Sequence, residues 1–99
     1  LYMLFNVAIY APITEELIFR KSIRDFISNK FIYCLVSGLI FGGLHVISTI
    51  NTPIDALYII PYSALGISFA TLYTKSNNIF SSMSMHALHN TIAILLYLI

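Results

Sequence analysis

Phe31-Ile-Tyr-Cys-Leu-Val-Ser-Gly-Leu-Ile-Phe-Gly-Gly-Leu-His-Val-Ile-Ser-Thr-Ile50 runs for twenty residues without an Asp, Glu, Lys or Arg. At ~1.5 Å rise per residue an α-helix of this length crosses the ~30 Å hydrocarbon core of a bilayer. In water the same stretch would need apolar partners on every side, and the chain is too short to provide them. Of its 99 residues, 59% are hydrophobic and 9% charged; an ordinary soluble domain carries about 25% charged residues. A domain this small buries only ~60% of the surface that its unfolded chain exposes, so a soluble fold is excluded. Disorder is excluded by the apolar content. A formal net charge of +1 leaves no basic patch for a phosphate backbone, so nucleic acid is not an expected partner. The single Cys34 can form neither an internal disulfide nor a paired-cysteine metal site. What remains is an integral membrane protein, with the lipid bilayer as its solvent.

Outward from this stretch, three more segments read as spans: about Leu1 to Phe26, Ile54 to Tyr73 and Asn78 to Ile99. The connections, Ser28-Asn29-Lys30, Asn51-Thr52-Pro53 and Lys75-Ser76-Asn77-Asn78, have turn composition. The expected fold is an all-α bundle of about four transmembrane helices forming one domain over residues 1–99. The chain opens at Leu1 without an initiator Met and is read as a segment of a longer polytopic protein. Seventeen isoleucines and no tryptophan match an AT-rich coding sequence, which points to a bacterial source. Arg20, Lys21, Arg24 and Lys30 flank the first connection and Lys75 lies in the third, so the loops at 28–30 and 74–78 are expected on the cytoplasmic side of the cell membrane. Pro12 is expected to kink or restart the first helix, with Thr14 as a cap. Pro53 fits a helix start and Pro61 a kink. Gly38 and Gly42 have the spacing that lets helix backbones approach closely.

The informative residues in a bilayer are the ionisable ones, because each costs about 2.5–3.5 kcal/mol at the centre of a span unless paired or wetted. Glu15, Glu16, His45, His86 and His89 lie within apolar spans, together with Asn90. Glu16 and Arg20 are four apart and share a helix face, so they can pair. Glu15 points about 100° away and is left without a cation, which suits a general base facing a cavity. The residues alone leave open whether these acids form a site or only a structural ion pair. His45 follows Phe41 by four, and Asn90 follows His86 by four, with His89 in the same broad arc. Satisfying these groups requires the first, second and fourth helices to converge. By helix rise, Glu15 lies ~13 Å above Arg24 and His86 ~12 Å past Asn78, but His45 lies ~21 Å past Phe31, too deep by several ångströms for level helices.

Glu15-Glu16-Leu-Ile-Phe-Arg20, Phe41-Gly-Gly-Leu-His45 and His86-Ala-Leu-His89-Asn90, in this order on successive helices, resemble the CPBP family of intramembrane proteases, also called the Abi or type II CAAX prenyl endopeptidase family. The resemblance covers Pro12 to Ile99 and includes Leu72-Tyr-Thr-Lys-Ser76. It implies an endopeptidase that needs no cofactor. In it, Glu15 activates a water, His45 helps to hold that water, Glu16 and Arg20 form a supporting pair, and His86 and Asn90 stabilise the oxyanion. The implied substrate is a peptide or membrane protein; with a bacterial source, a bacteriocin, pheromone or other membrane-associated peptide is expected rather than a prenylated protein.

Two other readings compete. Glu15, His45, His86 and His89 could ligate zinc by residue type, although His-Glu-x-x-His is absent. A non-catalytic immunity or scaffold protein would also sit in the membrane, but it would not need all three motifs intact.

Overall fold

The computed structural model describes residues 2–98. A helical run over residues 2–24 (α1) is followed by α2 (Lys30–Thr49), by α3 (Ile59–Ser76) with a 3-10 turn over Pro53–Tyr58 leading into it, and by α4 (Ile79–Leu98). No strand occurs among the described residues. Three helical segments are long and apolar enough to cross a membrane: Lys30–Thr49, Pro53–Ser76 and Ile79–Leu98.

The helix ends are set by local chemistry. The Asn29 side chain accepts from the Ile32 N–H at 3.0 Å and caps α2. Arg24 Nη1 donates to the carbonyls of Ile27 and Ser28, which folds the first connection back on α1. Pro53 opens its helix as expected, at a position where its missing N–H has no helical partner to lose. Asp55 Oδ2 accepts from the N–H groups of Asn51 and Thr52 at 3.0 and 3.1 Å. Pro61 falls in the first turn of α3, where a proline need not kink a helix. Asn77 takes the left-handed conformation, φ 53°, and its N–H closes α3 on the Tyr73 carbonyl.

The first stretch, for which a kink or a restart at Pro12 is expected, shows a different irregularity. It stays helical, but α-winding over Tyr2–Phe5 and Ala11–Glu16 alternates with wider π-winding over Asn6–Tyr10 and Leu17–Ser22. Pro12 does not restart the helix, for Tyr10 and Ala11 keep right-handed helical angles. The π turn just ahead of Pro12 accommodates its missing N–H. Thr14 is no N-cap, because there is no helix start to cap; its hydroxyl donates back to the Tyr10 and Ala11 carbonyls.

The interior mixes polar groups with an apolar core, and the surface is largely apolar. Glu16, Arg20, Ser37, Ser82 and His86 are buried, whereas Phe31, Ile47 and Leu96 face outward. Such a surface belongs in lipid. α2 and α3 pack backbone to backbone. A Cβ on Gly42 would stand 2.6 Å from the Ser63 backbone nitrogen, and one on Gly38 2.7 Å from that of Ile67. Gly66 of α3 lies against Gly38 in return. The glycine spacing therefore serves close packing, while Gly43 faces open space with nothing within 4 Å.

This seam is testable in the full-length protein by unfolding in mixed micelles. Gly42→Ala should destabilise by about 1–3 kcal/mol through overpacking. Gly43→Ala should be neutral or gain up to about 1 kcal/mol of helix propensity. Equal effects of the two substitutions would refute the seam.

Candidate active site

At the end of the second α-wound piece of α1, two adjacent glutamates point to different surroundings. Glu16 is fully buried. Its Oε1 lies 3.1 Å from Arg20 Nε, with both side chains 0% exposed. The two atoms are close but poorly aligned for a hydrogen bond, so this contact is one of charge. Glu16 Oε2 lies 2.8 Å from His86 Nδ1 on α4. A carboxylate can only accept, so Nδ1 carries the proton. The i,i+4 pair expected from the spacing is thus present, and it also holds a histidine from the other end of the chain.

Arg20 is held in turn by α2 and α3. Its Nη1 donates to Ser37 Oγ at 3.0 Å. The Ser37 hydroxyl donates to the Phe19 carbonyl at 2.5 Å, and the Tyr33 hydroxyl to the Arg20 carbonyl at 2.9 Å. Both carbonyls belong to the π-wound turn of α1. The guanidinium also lies 5.0 Å from the Phe41 ring centre and 5.7 Å from that of Phe69.

Glu15 is open to a cleft, with 29% of its side chain exposed. Its Oε1 stands 3.4 Å from His86 Nε2 and 3.9 Å from His45 Nε2. His45 Nδ1 lies 2.8 Å from the Phe41 carbonyl. A carbonyl has no proton to give, so in the neutral ring Nδ1 is the donor and Nε2 presents its lone pair toward Glu15. The cleft has a volume of about 610 Å³ and draws its walls from all four helices, including Val7, Ala11, Tyr62 and Ile94. Asn90 also lines it, but its Nδ2 donates to the Val7 carbonyl at 3.0 Å. That carbonyl lies in the other π turn of α1. One amide N–H of Asn90 is therefore committed to joining α4 to α1, and the second remains.

All six residues singled out in the motifs, Glu15, Glu16, Arg20, His45, His86 and Asn90, meet at this cleft or directly beneath it. The depth discrepancy for His45 has a geometric explanation. The short Ser37 side chain reaches the Phe19 carbonyl, which brings Ser37 near the level of Arg20. Arg24 is four residues below Arg20, ~6 Å, but Phe31 is six residues below Ser37, ~9 Å. So α2 starts ~3 Å lower than α1 ends, and the histidine and glutamate side chains span the remainder. His89 lines the cleft too, edge-on to Phe69 with ring centres 6.3 Å apart. No group of three His, Cys, Asp or Glu side chains is arranged to hold a metal ion among the described residues.

Sequence reasoning missed the residues that fix the two rings. Phe69 stacks on His86, with centres 4.8 Å apart and planes at 21°. Tyr62 stacks on His45 at 5.4 Å and 25°. The two are seven residues apart on α3, two turns along one face. That spacing was readable, but nothing in an apolar helix marks aromatic residues as partners of distant histidines. Ser37 and Tyr33 were likewise unmarked, because their acceptors are backbone carbonyls exposed by π-winding.

The same chain is similar to known proteins along nearly its whole length. It is 32% identical to the Bacillus subtilis protein named "Putative membrane peptidase YdiL", over 97% of this chain and 37% of that protein. It is 31% identical to "UPF0177 protein YxdF" of Lactococcus lactis, over 84% of this chain and 43% of that protein. An uncharacterized protein of Mycoplasma capricolum is 32% identical, over 97% of this chain and 27% of that protein. The chain thus spans less than half the length of each of these relatives. No solved structure matches it. The signature of the family described as "Type II CAAX prenyl endopeptidase Rce1-like" matches residues 1–92, and the chain belongs to that family.

Proposed function

We propose that this protein is a membrane endopeptidase that hydrolyses a peptide bond with a water activated by Glu15. The observation that carries the reading is the difference between the two glutamates: Glu16 is held by Arg20 and His86, while Glu15 faces the cleft together with His45 Nε2. Their 3.9 Å separation suits one water that donates to both. Glu15 takes a proton from that water as its oxygen attacks the carbonyl carbon. The carbonyl oxygen becomes an oxyanion. Donors aimed at that position would be the free amide N–H of Asn90 and an Nε2–H of His86. Collapse of the intermediate breaks the C–N bond, and the proton on Glu15 passes to the leaving amine. No covalent intermediate is needed, and no Ser or Cys lies with a base in the cleft lining.

The apolar walls of the cleft suit a membrane-associated peptide, of the bacteriocin or pheromone kind, or a membrane-protein segment. The protein would cross the cell membrane several times, with the loops at 28–30 and 74–78 cytoplasmic. Single cysteines in a Cys34→Ser background of the full-length protein test this with an impermeant thiol reagent on intact cells. Position 52 should label while positions 29 and 76 stay protected, and the opposite pattern would reverse the orientation.

Cleavage of a peptide library by the purified full-length protein tests the chemistry. Glu15→Gln should abolish turnover while the protein keeps its unfolding midpoint; near-normal turnover would end the assignment. Loss of one oxyanion donor, in His86→Ala or Asn90→Ala, should raise the barrier by about 2.7–4 kcal/mol. Arg20→Ala should instead cost about 3–5 kcal/mol of stability, since it strands the buried Glu16 charge. His89→Ala should retain substantial turnover, and stringent chelation should leave it unchanged. Activity lost with chelator, restored by zinc and absent in His89→Ala would establish a metalloprotease instead.

A further inference from the structure

A second hollow lies between α2 and α3, and it shares no residue with the cleft. It is a groove of about 510 Å³ whose apolar wall is formed by Phe31, Leu35 and Ile67. At one end it carries Lys30 and Lys75. Through these two residues and Thr74 it continues into a polar hollow of about 380 Å³, where Arg24 joins them. Three cations therefore converge at the mouth of an apolar channel. No Asp or Glu lines either hollow. None of the ion pairs found among the described residues includes Arg24, Lys30 or Lys75.

Arg24 is fixed in place. Its Nη1 is bonded to the carbonyls of Ile27 and Ser28, and its guanidinium lies 5.3 Å from the Tyr33 ring centre. No hydrogen bond from its Nη2 or Nε is found among the described residues. The groove beyond the cations offers little to a polar ligand. Thr71 donates to the Ile67 carbonyl at 2.8 Å and Thr74 to the Thr71 carbonyl at 2.9 Å, so both hydroxyl protons are used within α3.

A ligand that satisfies both parts carries negative charge at one end and an aliphatic chain at the other. We propose that this groove binds an anionic glycerophospholipid. Its phosphate sits among Lys30, Lys75 and Arg24, and one acyl chain lies along Phe31, Leu35 and Ile67. A zwitterionic lipid would bring its own ammonium beside the three positive charges and add no net negative charge. A protein segment covering the groove would have to bring its own acids to the same spot. Basic pockets between membrane helices recognise anionic headgroups through this combination of charge and adjacent hydrocarbon. The inference depends on residence in a membrane and not on the proposed hydrolysis.

Native mass spectrometry of the full-length protein in detergent micelles tests it, with phosphatidylglycerol and phosphatidylcholine of identical acyl chains as probes. The wild type should bind phosphatidylglycerol more tightly. Lys30→Gln and Lys75→Gln should each weaken that binding roughly fivefold and leave phosphatidylcholine unaffected. Leu35→Trp keeps every charge but obstructs the groove, and it should also weaken phosphatidylglycerol binding. Glycerol 3-phosphate at equal concentration should not displace the lipid. The proposal fails if the wild type binds both lipids equally, if Lys30→Gln and Lys75→Gln combined in one variant keep the preference, or if Leu35→Trp binds like the wild type. It fails equally if glycerol 3-phosphate competes as well as the lipid does, which would reduce the site to one for free anions.

Discussion

The Glu16 carboxylate is the point on which the rest of the structure depends. One oxygen faces Arg20 and the other His86, and all three side chains are shut away from solvent. A lone carboxylate there would face a desolvation penalty of several kcal/mol, and so would a lone guanidinium. Each group is tolerable only because the others are present. The arrangement therefore enforces a meeting of α1 with α4, and the hydrogen bond from Arg20 to Ser37 adds α2. A buried ion cluster contributes little net stability compared with apolar packing, but it has few alternative partners in an apolar chain. Its effect is to specify one assembly of helices among many of similar hydrophobicity.

The winding of α1 makes that assembly possible. π turns are uncommon and tend to occur at functional sites. Here the π-wound turns contain the Val7, Phe19 and Arg20 carbonyls, and each accepts from a side chain of another helix: Asn90, Ser37 and Tyr33 respectively. In hydrocarbon the association of helices gains little from apolar burial, so it rests on close packing and on hydrogen bonds of this kind. The irregular helix is thus the one through which α2 and α4 are joined by side-chain hydrogen bonds. Its irregularity lies against protein, where the displaced carbonyls find donors.

Much of this could be read from residue types alone. Charged and imidazole groups in apolar spans had to converge, and Glu15 and Glu16 had to differ, because one cation four residues away can share a face with only one of them. The glycine spacing at 38 and 42 was also legible as close packing. The winding of α1 was not. Pro12 signals a lost hydrogen bond, yet it does not say whether the chain will break, kink or widen. Thr14 looked like a cap for the same reason. The contributions of Tyr62 and Phe69 were hidden because aromatic residues in a span are ordinary, and their pairing with His45 and His86 is a fact of three dimensions. The offset of α2 relative to α1 was hidden too, since helix rise measures distance along one axis and not the level at which neighbouring helices begin.

The glycine seam between α2 and α3 has a mechanical consequence. Most helix pairs are spaced by side chains, and a side chain can change rotamer to absorb a misfit. At Gly42 and Ser63 the spacing is set by main-chain atoms, which have no such freedom. Tyr62 and Phe69 ride on α3 and inherit that stiffness, and through their stacks so do the planes of the two imidazoles. The opposite wall is built differently. α1 changes between two kinds of winding along its length, and it is joined to its neighbours by hydrogen bonds to individual carbonyls. The cleft therefore has one wall spaced by main-chain contacts and one held by hydrogen bonds to individual carbonyls. Any change in the width of the cleft would then fall to the side that carries the glutamates.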